Sequence, residues 1–213
     1  MNKKEIYLIG VGNYTEVIIE LAIDCGYTVN GLYHYNNERI GEEVLGIAII
    51  GCTEDLFKTD IKGKQFALTM GENKLRSEMA SKIKSLGGFT PNLIHPTALI
   101  SKSATIGYGC FIHFNAVIWT KSILGNDCVV SPNAMIAHHS EIADACSVAS
   151  FSVIGAYCKV GKRVLFGVNS IVLPKALIIG DDCIVGAKAN VTKSYPNNCL
   201  LVGNPARKIK DLN

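Results

Sequence analysis

No stretch of this 213-residue chain approaches eighteen uninterrupted apolar residues, so the sequence offers no membrane-spanning helix. The N-terminal apolar run, Ile6 to Val11, is too short for a signal peptide, and the expectation is a cytoplasmic protein without membrane insertion. Charge of either sign is scarce: 21 Lys and Arg against 18 Asp and Glu leave a net +3. No basic cluster interleaved with aromatics is present, which argues against a nucleic-acid partner. Eight cysteines occur, yet none forms a CxxC pair, so neither a zinc site nor any other metal is expected.

What the chain has instead is a period of six. From Ile100 to Ile178 an aliphatic or Phe residue recurs at every sixth position without an insertion, through Ile106, Ile112, Ile118, Leu124, Val130 and onward. Four places after each of the first thirteen comes a small residue, from Ala104 and Cys110 through Ser140 and Cys146 to Ala176. A helix needs recurrence near 3.6 and an amphipathic strand near 2, so neither explains the pattern. It is the period of hexapeptide β-helix repeats, in which three hexads make one coil of about eighteen residues and equivalent positions stack.

In that register the aliphatic and the small residue point inward. Cys110, Cys128, Cys146 and Cys158 take the small position, as does Cys183 after the register slips by one to Ile179, Val185 and Val191. They read as core side chains, and the slip as a looser last coil. Glycine follows the aliphatic at Gly107, Gly125, Gly155, Gly161 and Gly167, as corners with unusual backbone angles would prefer.

Residues 1–90 follow a different grammar. Ile6 to Ile9 reads as a buried strand, Gly10-Val11-Gly12-Asn13 as a tight turn, and Tyr14 to Cys25 as a helix with Val17, Ile18, Leu21 and Ala22 on one face. Tyr27 to Leu32 is a second strand, Gln65 to Met70 a third, and Asn73 to Leu86 a helix on which Lys74, Arg76, Lys82 and Lys84 read as a solvated face. The βαβ unit places a glycine turn at a helix N-terminus, where backbone N–H groups can receive a phosphate. Only two glycines of GxGxxG are present, with Thr15 at the third position. The expectation is a small Rossmann-like parallel sheet over residues 1–90 and a β-helix with a C-terminal tail over 91–213.

The only outward corner with evident chemistry is Ile136-Ala137-His138-His139-Ser140-Glu141, where Ile136 and Ser140 point inward and the two histidines outward. His95 and His113 also fall at corners, and Trp119 points outward.

Leu8-Ile9-Gly10-Val11-Gly12, Gly31-Leu32, Val44-Leu45-Gly46, Asn92-Leu93-Ile94-His95-Pro96, the hexads and Val202-Gly203-Asn204-Pro205-Ala206 together resemble the sialic acid O-acetyltransferase and bacillosamine N-acetyltransferase family of sugar acetyltransferases. The resemblance implies a left-handed helix and a homotrimer with acetyl-CoA in the cleft between neighbouring helices. It implies His138 as general base, with His139 or Glu141 supplying orientation. It implies acetyl-CoA contacts at Gly155, Ala156, Gly186 and Asn204, with Arg207 and Lys208 near the CoA phosphates. For the nucleotide-linked amino sugar it points to Gly10, Gly12, Asn13, Tyr14, His34, Tyr35 and Ser131.

The chain departs from the family where the site would be. His139 stands in place of an acidic residue after the base, Ser147 in place of a second histidine, and Ser131 in place of an Asn. His34 and Tyr35 replace an acidic pair. Three functions remain open: N-acetylation of a nucleotide-linked amino sugar, which is favoured because an amine is easier to deprotonate than a hydroxyl; O-acetylation of sialic acid or a related sugar; and a trimeric binding module with impaired catalysis.

Overall fold

A computed structural model describes residues 4–212 and divides the chain into two compact units, Met1–Leu93 and Ile94–Asn213. The first unit alternates strand and helix: β1 (Lys4–Ile9), α1 (Thr15–Asp24), β2 (Tyr27–His34), β3 (Glu43–Val44), β4 (Ile47–Cys52), α2 (Thr53–Leu56), β5 (Phe66–Leu68) and α3 (Asn73–Ser85). The sheet order is β3-β4-β2-β1-β5, parallel throughout except for the antiparallel β3–β4 edge. That edge is a two-residue hairpin whose central residues, Leu45 and Gly46, both have positive φ, as a type I′ turn requires.

Two expectations for this unit are corrected. On α1 it is Ile19, not Val17, that joins Ile18, Leu21 and Ala22 in the core, because the apolar run is continuous and the sheet covers the face centred on Ile18. On α3, Arg76 is buried, not solvated, because its guanidinium turns back to donate to the carbonyls of Met70 and Gly71 and to Asn73 Oδ1 at 2.8 Å.

The second unit is a parallel β-solenoid of two-residue strands on three faces. The first face stacks Leu99–Ile100, Val117–Ile118, Met135–Ile136, Val153–Ile154, Ile171–Val172 and Asn190–Val191. The second stacks Thr105–Ile106, Ile123–Leu124, Glu141–Ile142, Lys159–Val160 and Ile178–Ile179. The third runs from Phe111–Ile112 to Cys199–Val202, and Arg207–Asp211 closes it antiparallel. In each two-residue strand past Ile106 the second residue is buried, and these side chains with the small residues form one continuous core. The cysteines are free and inside, and Cys199 joins the column of Cys183, its amide donating to the Cys183 sulfur at 3.4 Å.

The register slip lies one turn earlier than the sequence suggests. Ile178 and Ala176 are exposed, while Leu177 and Ile179 take the inward positions. The extra residue sits in the turn at Pro174–Ala176, and Ile179 still pairs with Val160, so the last coils are not loosened.

The corner glycines are also explained differently. Gly107, Gly125, Gly155, Gly161 and Gly167 are absent from the positive-φ positions, which fall two residues later, at Asp127, His139, Tyr157 and Arg163 among others. Glycine is needed because coils approach too closely for a side chain: a Cβ on Gly125 would lie 2.7 Å from the Ala143 carbonyl carbon, and one on Gly155 2.5 Å from the Pro174 nitrogen. The left-handed corner residues are often Asn or Asp, which tolerate that conformation.

Candidate active site

The corner after Met135–Ile136 is fixed from both neighbouring coils. Ile136 and Ser140 are fully inside, so the residues between them must turn outward. The His139 amide donates to Thr120 O in the preceding coil at 2.9 Å, and the Tyr157 amide in the following coil donates to His138 O at 3.2 Å. The buried Ser140 hydroxyl donates to Gly155 O at 2.8 Å and accepts from the Cys158 amide at 3.3 Å, tying this corner to the next.

On that frame the imidazoles meet nitrogen to nitrogen, with His138 Nδ1 3.0 Å from His139 Nδ1. One of the two must carry the proton. If it is His138, its Nε2 holds a lone pair and can act as a base; a carboxylate in the place of His139 could only accept and would impose that tautomer. Aromatic rings frame the pair. The edge of Trp119 meets His138 at 5.4 Å, Tyr157 meets His138 edge-on at 5.3 Å, and Tyr157 stacks on His139 at 4.9 Å with 20° between planes. Both Trp119 and Tyr157 remain half-exposed.

Glu141 does not orient His138. Its carboxylate lies 3.2 Å from Lys159 Nζ in the next coil. Ser131 and His138 stand at opposite ends of the strand Met135–Ile136, hence on different corners of one chain. Ser131 spends its amide on Val148 O and its carbonyl on Ala134 N, and Ser147 lies on the third face.

The residues expected near acetyl-CoA divide by what remains open. Gly155 has its amide on Val172 O and its carbonyl on Ser140, and the Gly186 amide donates to Leu201 O. The N–H of Ala156, one coil after His138, makes no hydrogen bond among the described residues. Asn204 is docked by Asn190 Nδ2 at 3.1 Å, and the Ala206 amide donates to Asn190 O. Arg207 and Lys208 follow on an exposed strand, where Lys208 is paired with Asp211 at 2.5 Å.

The first unit holds a cavity of about 430 Å³ lined by Gly10 to Tyr14, His34, Tyr35, Thr69, Met70, Gly71 and Leu75. It sits at the carboxyl ends of β1, β2 and β5, where open α/β sheets commonly take ligands. Six of the seven candidate substrate residues, Gly10, Gly12, Asn13, Tyr14, His34 and Tyr35, are brought together here; Ser131 lies in the other unit.

Thr15, at the missing third glycine, is fully buried; its hydroxyl accepts the Gly12 N–H at 2.9 Å and also reaches Gly10 O and Thr69. One of the turn's donors is therefore already satisfied inside the protein. Burial pushes the Tyr14 phenol up to about 12, against the charge of Arg76 nearby. His34 is buried beside Tyr35, ring centres 4.3 Å apart, with Nδ1 lacking a hydrogen bond.

Sequence reading missed Arg76, Thr69, Met70 and Tyr157. The register could have found Tyr157, which follows His139 by eighteen residues, one coil. The loop after β5 could have been found from the strand-end rule. Among the described residues no three His, Cys, Asp or Glu side chains gather to hold a metal, and no helix is long and apolar enough to cross a membrane.

A β-solenoid carrying an outward histidine corner, joined to a small α/β unit with a strand-end pocket, defines a solenoid transferase architecture. Comparison with known proteins makes this specific. The PglD N-terminal domain model matches residues 5–83, the bacterial transferase hexapeptide model residues 121–156, and the hexapeptide repeat of succinyl-transferase residues 157–193. The chain thus carries a PglD N-terminal domain followed by bacterial transferase hexapeptide repeats.

A mutant of perosamine N-acetyltransferase from Caulobacter crescentus, solved with CoA and GDP-perosamine, is 28% identical, with a TM-score of 0.90 and 97% of each chain covered. The acetyltransferase domain of PglB from Neisseria gonorrhoeae, 24% identical over 97% of this chain and 100% of its own, shares the fold with a TM-score of 0.88. A putative lipopolysaccharide biosynthesis O-acetyl transferase, WbbJ from Escherichia coli, is 44% identical over 54 residues, 25% of this chain and 27% of that protein. The matches span only 21% to 28% of the length of the curated relatives.

Proposed function

We propose that this chain is an acetyl-CoA-dependent N-acetyltransferase acting on a nucleotide-linked amino sugar in the biosynthesis of surface glycans. The observation that carries the reading is His138 on a solenoid corner, its Nδ1 held at 3.0 Å by His139 and its Nε2 making no hydrogen bond among the described residues. The acceptor amine attacks the acetyl carbonyl carbon while its proton passes to His138 Nε2. The Ala156 N–H is suited to stabilise the oxyanion of the tetrahedral intermediate. Collapse breaks the C–S bond, and the departing thiolate takes the proton back from His138.

The strand-end pocket of the first unit suits the nucleotide, with Tyr35 available for stacking and His34 for a polar contact. The Caulobacter crescentus protein, which aligns along almost the whole chain, was solved with both CoA and a GDP-linked sugar, which supports both ligands here. Gly155 and Gly186 are explained by coil packing, so their part toward CoA is to leave room, with Arg207 the cation for its phosphates.

A homotrimer is part of the proposal. The outward residues of the first face, Leu99, Val117, Met135, Val153 and Ile171, form an apolar stripe, whereas the second face shows Thr105, Ile123, Glu141, Lys159 and Ile178. A neighbouring copy on the first face would also bring other corners toward His138. A cytoplasmic reaction is part of the same proposal, since acetyl-CoA and nucleotide-linked sugars are cytoplasmic metabolites.

The stretch shared with WbbJ favours O-acetylation as the second reading. Both are tested by incubating the protein with acetyl-CoA and a panel of UDP-, GDP- and dTDP-linked amino sugars and free sialic acid, following thiol release. Release with an amino sugar, an amide in the product, and loss of both with His138→Ala are expected. An ester product overturns N-acetylation, and turnover unchanged in His138→Ala overturns the base.

A further inference from the structure

The tandem imidazoles do more than a carboxylate partner would. We propose that His139 is a positioning residue that shares the proton His138 receives, so that the transient cation is spread over two rings. The inference rests on the reading of His138 as the base.

Three observations carry it. The two Nδ1 atoms are 3.0 Å apart, and among the described residues neither ring makes another hydrogen bond. Tyr157 stacks on His139 and meets His138 edge-on, which holds both ring planes. The corner's own carboxylate, Glu141, is engaged by Lys159. Lys121 stands one coil before His139 in the register, and Trp119 and Thr120 from that coil and Tyr157 and Ala156 from the next adjoin the corner.

The balance is simple. In the resting pair His138 carries its proton on Nδ1 and donates it to His139 Nδ1, while His139 carries its own on Nε2. When the amine gives a proton to His138 Nε2, the Nδ1 proton moves partly or wholly to His139, leaving one positive charge over two rings. When the thiolate leaves, His138 Nε2 returns a proton to sulfur, the Nδ1 proton moves back, and the pair is reset with no external acid or base consumed. A neutral partner spreads the charge without pinning it, as a carboxylate would.

The test combines a titration that needs no turnover with kinetics. Nitrogen NMR of the full chain should show His138 and His139 titrating as one coupled pair, with two steps more than about one pH unit apart, that collapses to a single histidine in His139→Asn. Two independent titrations overturn the proposal whatever the enzyme does. Asn and Asp both tolerate the left-handed backbone of residue 139, φ +59°, so both variants keep the corner.

In kinetics, His139→Asp should move the acidic limb of kcat/KM up by about one pH unit, because the imidazolium gains a fixed counter-charge. His139→Asn, which still accepts from Nδ1 but cannot take up the proton, should lower kcat about tenfold or more. An unmoved limb in the Asp variant, or full kcat in the Asn variant, overturns the sharing. Absence of turnover in the wild-type protein overturns the proposed function instead, and leaves the titration to decide this inference.

Discussion

Two corners of the same solenoid are built on one backbone plan and put to opposite uses. At the corner between the second and third faces, side chains close on themselves. Asn126 Oδ1 accepts the Tyr108 amide, Asp144 Oδ1 accepts from Asn126, Asp181 Oδ1 accepts the Lys162 amide, and Asn197 Oδ1 accepts the Asp181 amide. At the corner between the first and second faces the equivalent positions hold Thr120, His138 and Ala156, and ring nitrogens and a backbone donor are left open. The same repeat that carries an Asx ladder at one corner presents two imidazoles where the ladder is interrupted. Function in this protein is a matter of which side chains the corner carries.

The sharpest way to break that contrast is to remove the proposed base. His138→Ala should reduce kcat by about 10²–10⁴-fold, measured by thiol release, because that is the span attributed to a positioned general base. Circular dichroism and the melting temperature should barely move, since His138 is an outward side chain whose backbone bonds survive the substitution.

The third corner predicts a response to acid. His113 is buried, and desolvation, with the charge of His95 second, pushes its imidazole down to about 4. An unfolded His titrates near 6.5, so between about pH 6.5 and 4 the unfolded chain binds more protons and stability falls as pH falls. The loss amounts to about 3 kcal/mol once the pH is below 4. Urea midpoints at pH 7 and pH 4.5 should differ strongly in the wild type and much less in His113→Phe. Equal differences would show that His113 is not the group responsible.

The Asx corner should break in stability instead of chemistry. A Cβ at Gly161 would lie 2.6 Å from the Asp181 amide nitrogen and closer still to its carboxylate oxygen. Gly161→Ala should therefore destabilise the chain by roughly 1–3 kcal/mol in denaturant melts, the usual cost of overpacking. Thiol release per folded molecule should stay near wild type.

These contrasts also mark what could be read from residues alone. The solenoid was legible because a period of six is repeated until chance is excluded, and because direction follows from register: cysteines in, His138 and His139 out. Arg76 was not legible, since a cation on a helix reads as solvated until the chain is folded and the carbonyls of Met70 and Gly71 are seen to converge on it. The reason for glycine at Gly125 was hidden for a similar cause. A close approach of backbone eighteen residues away leaves no local trace, whereas a positive φ does. Tyr157 lay between these cases: its position in the stack was implied by the coil length, but its stacking on His139 is a matter of rotamers.

The smallest effect expected is at the tail, and it asks whether a cation outside the repeats serves the corner within them. Lys208 is paired with Asp211, whereas Arg207 stands exposed on the same strand after a turn docked by Asn190. An exposed guanidinium can grip a phosphate by a forked contact, yet solvent and salt weaken it. Arg207→Ala should therefore weaken CoA binding about fivefold in calorimetry, corresponding to ~1 kcal/mol, and the difference should shrink as ionic strength rises. Dephospho-CoA should bind the two proteins alike if the contact is with the 3′-phosphate, and should retain the difference if it is with the diphosphate. Unchanged CoA affinity in Arg207→Ala would confine cofactor recognition to the solenoid itself, leaving the backbone near Ala156 and the space above Gly155 and Gly186 to hold it.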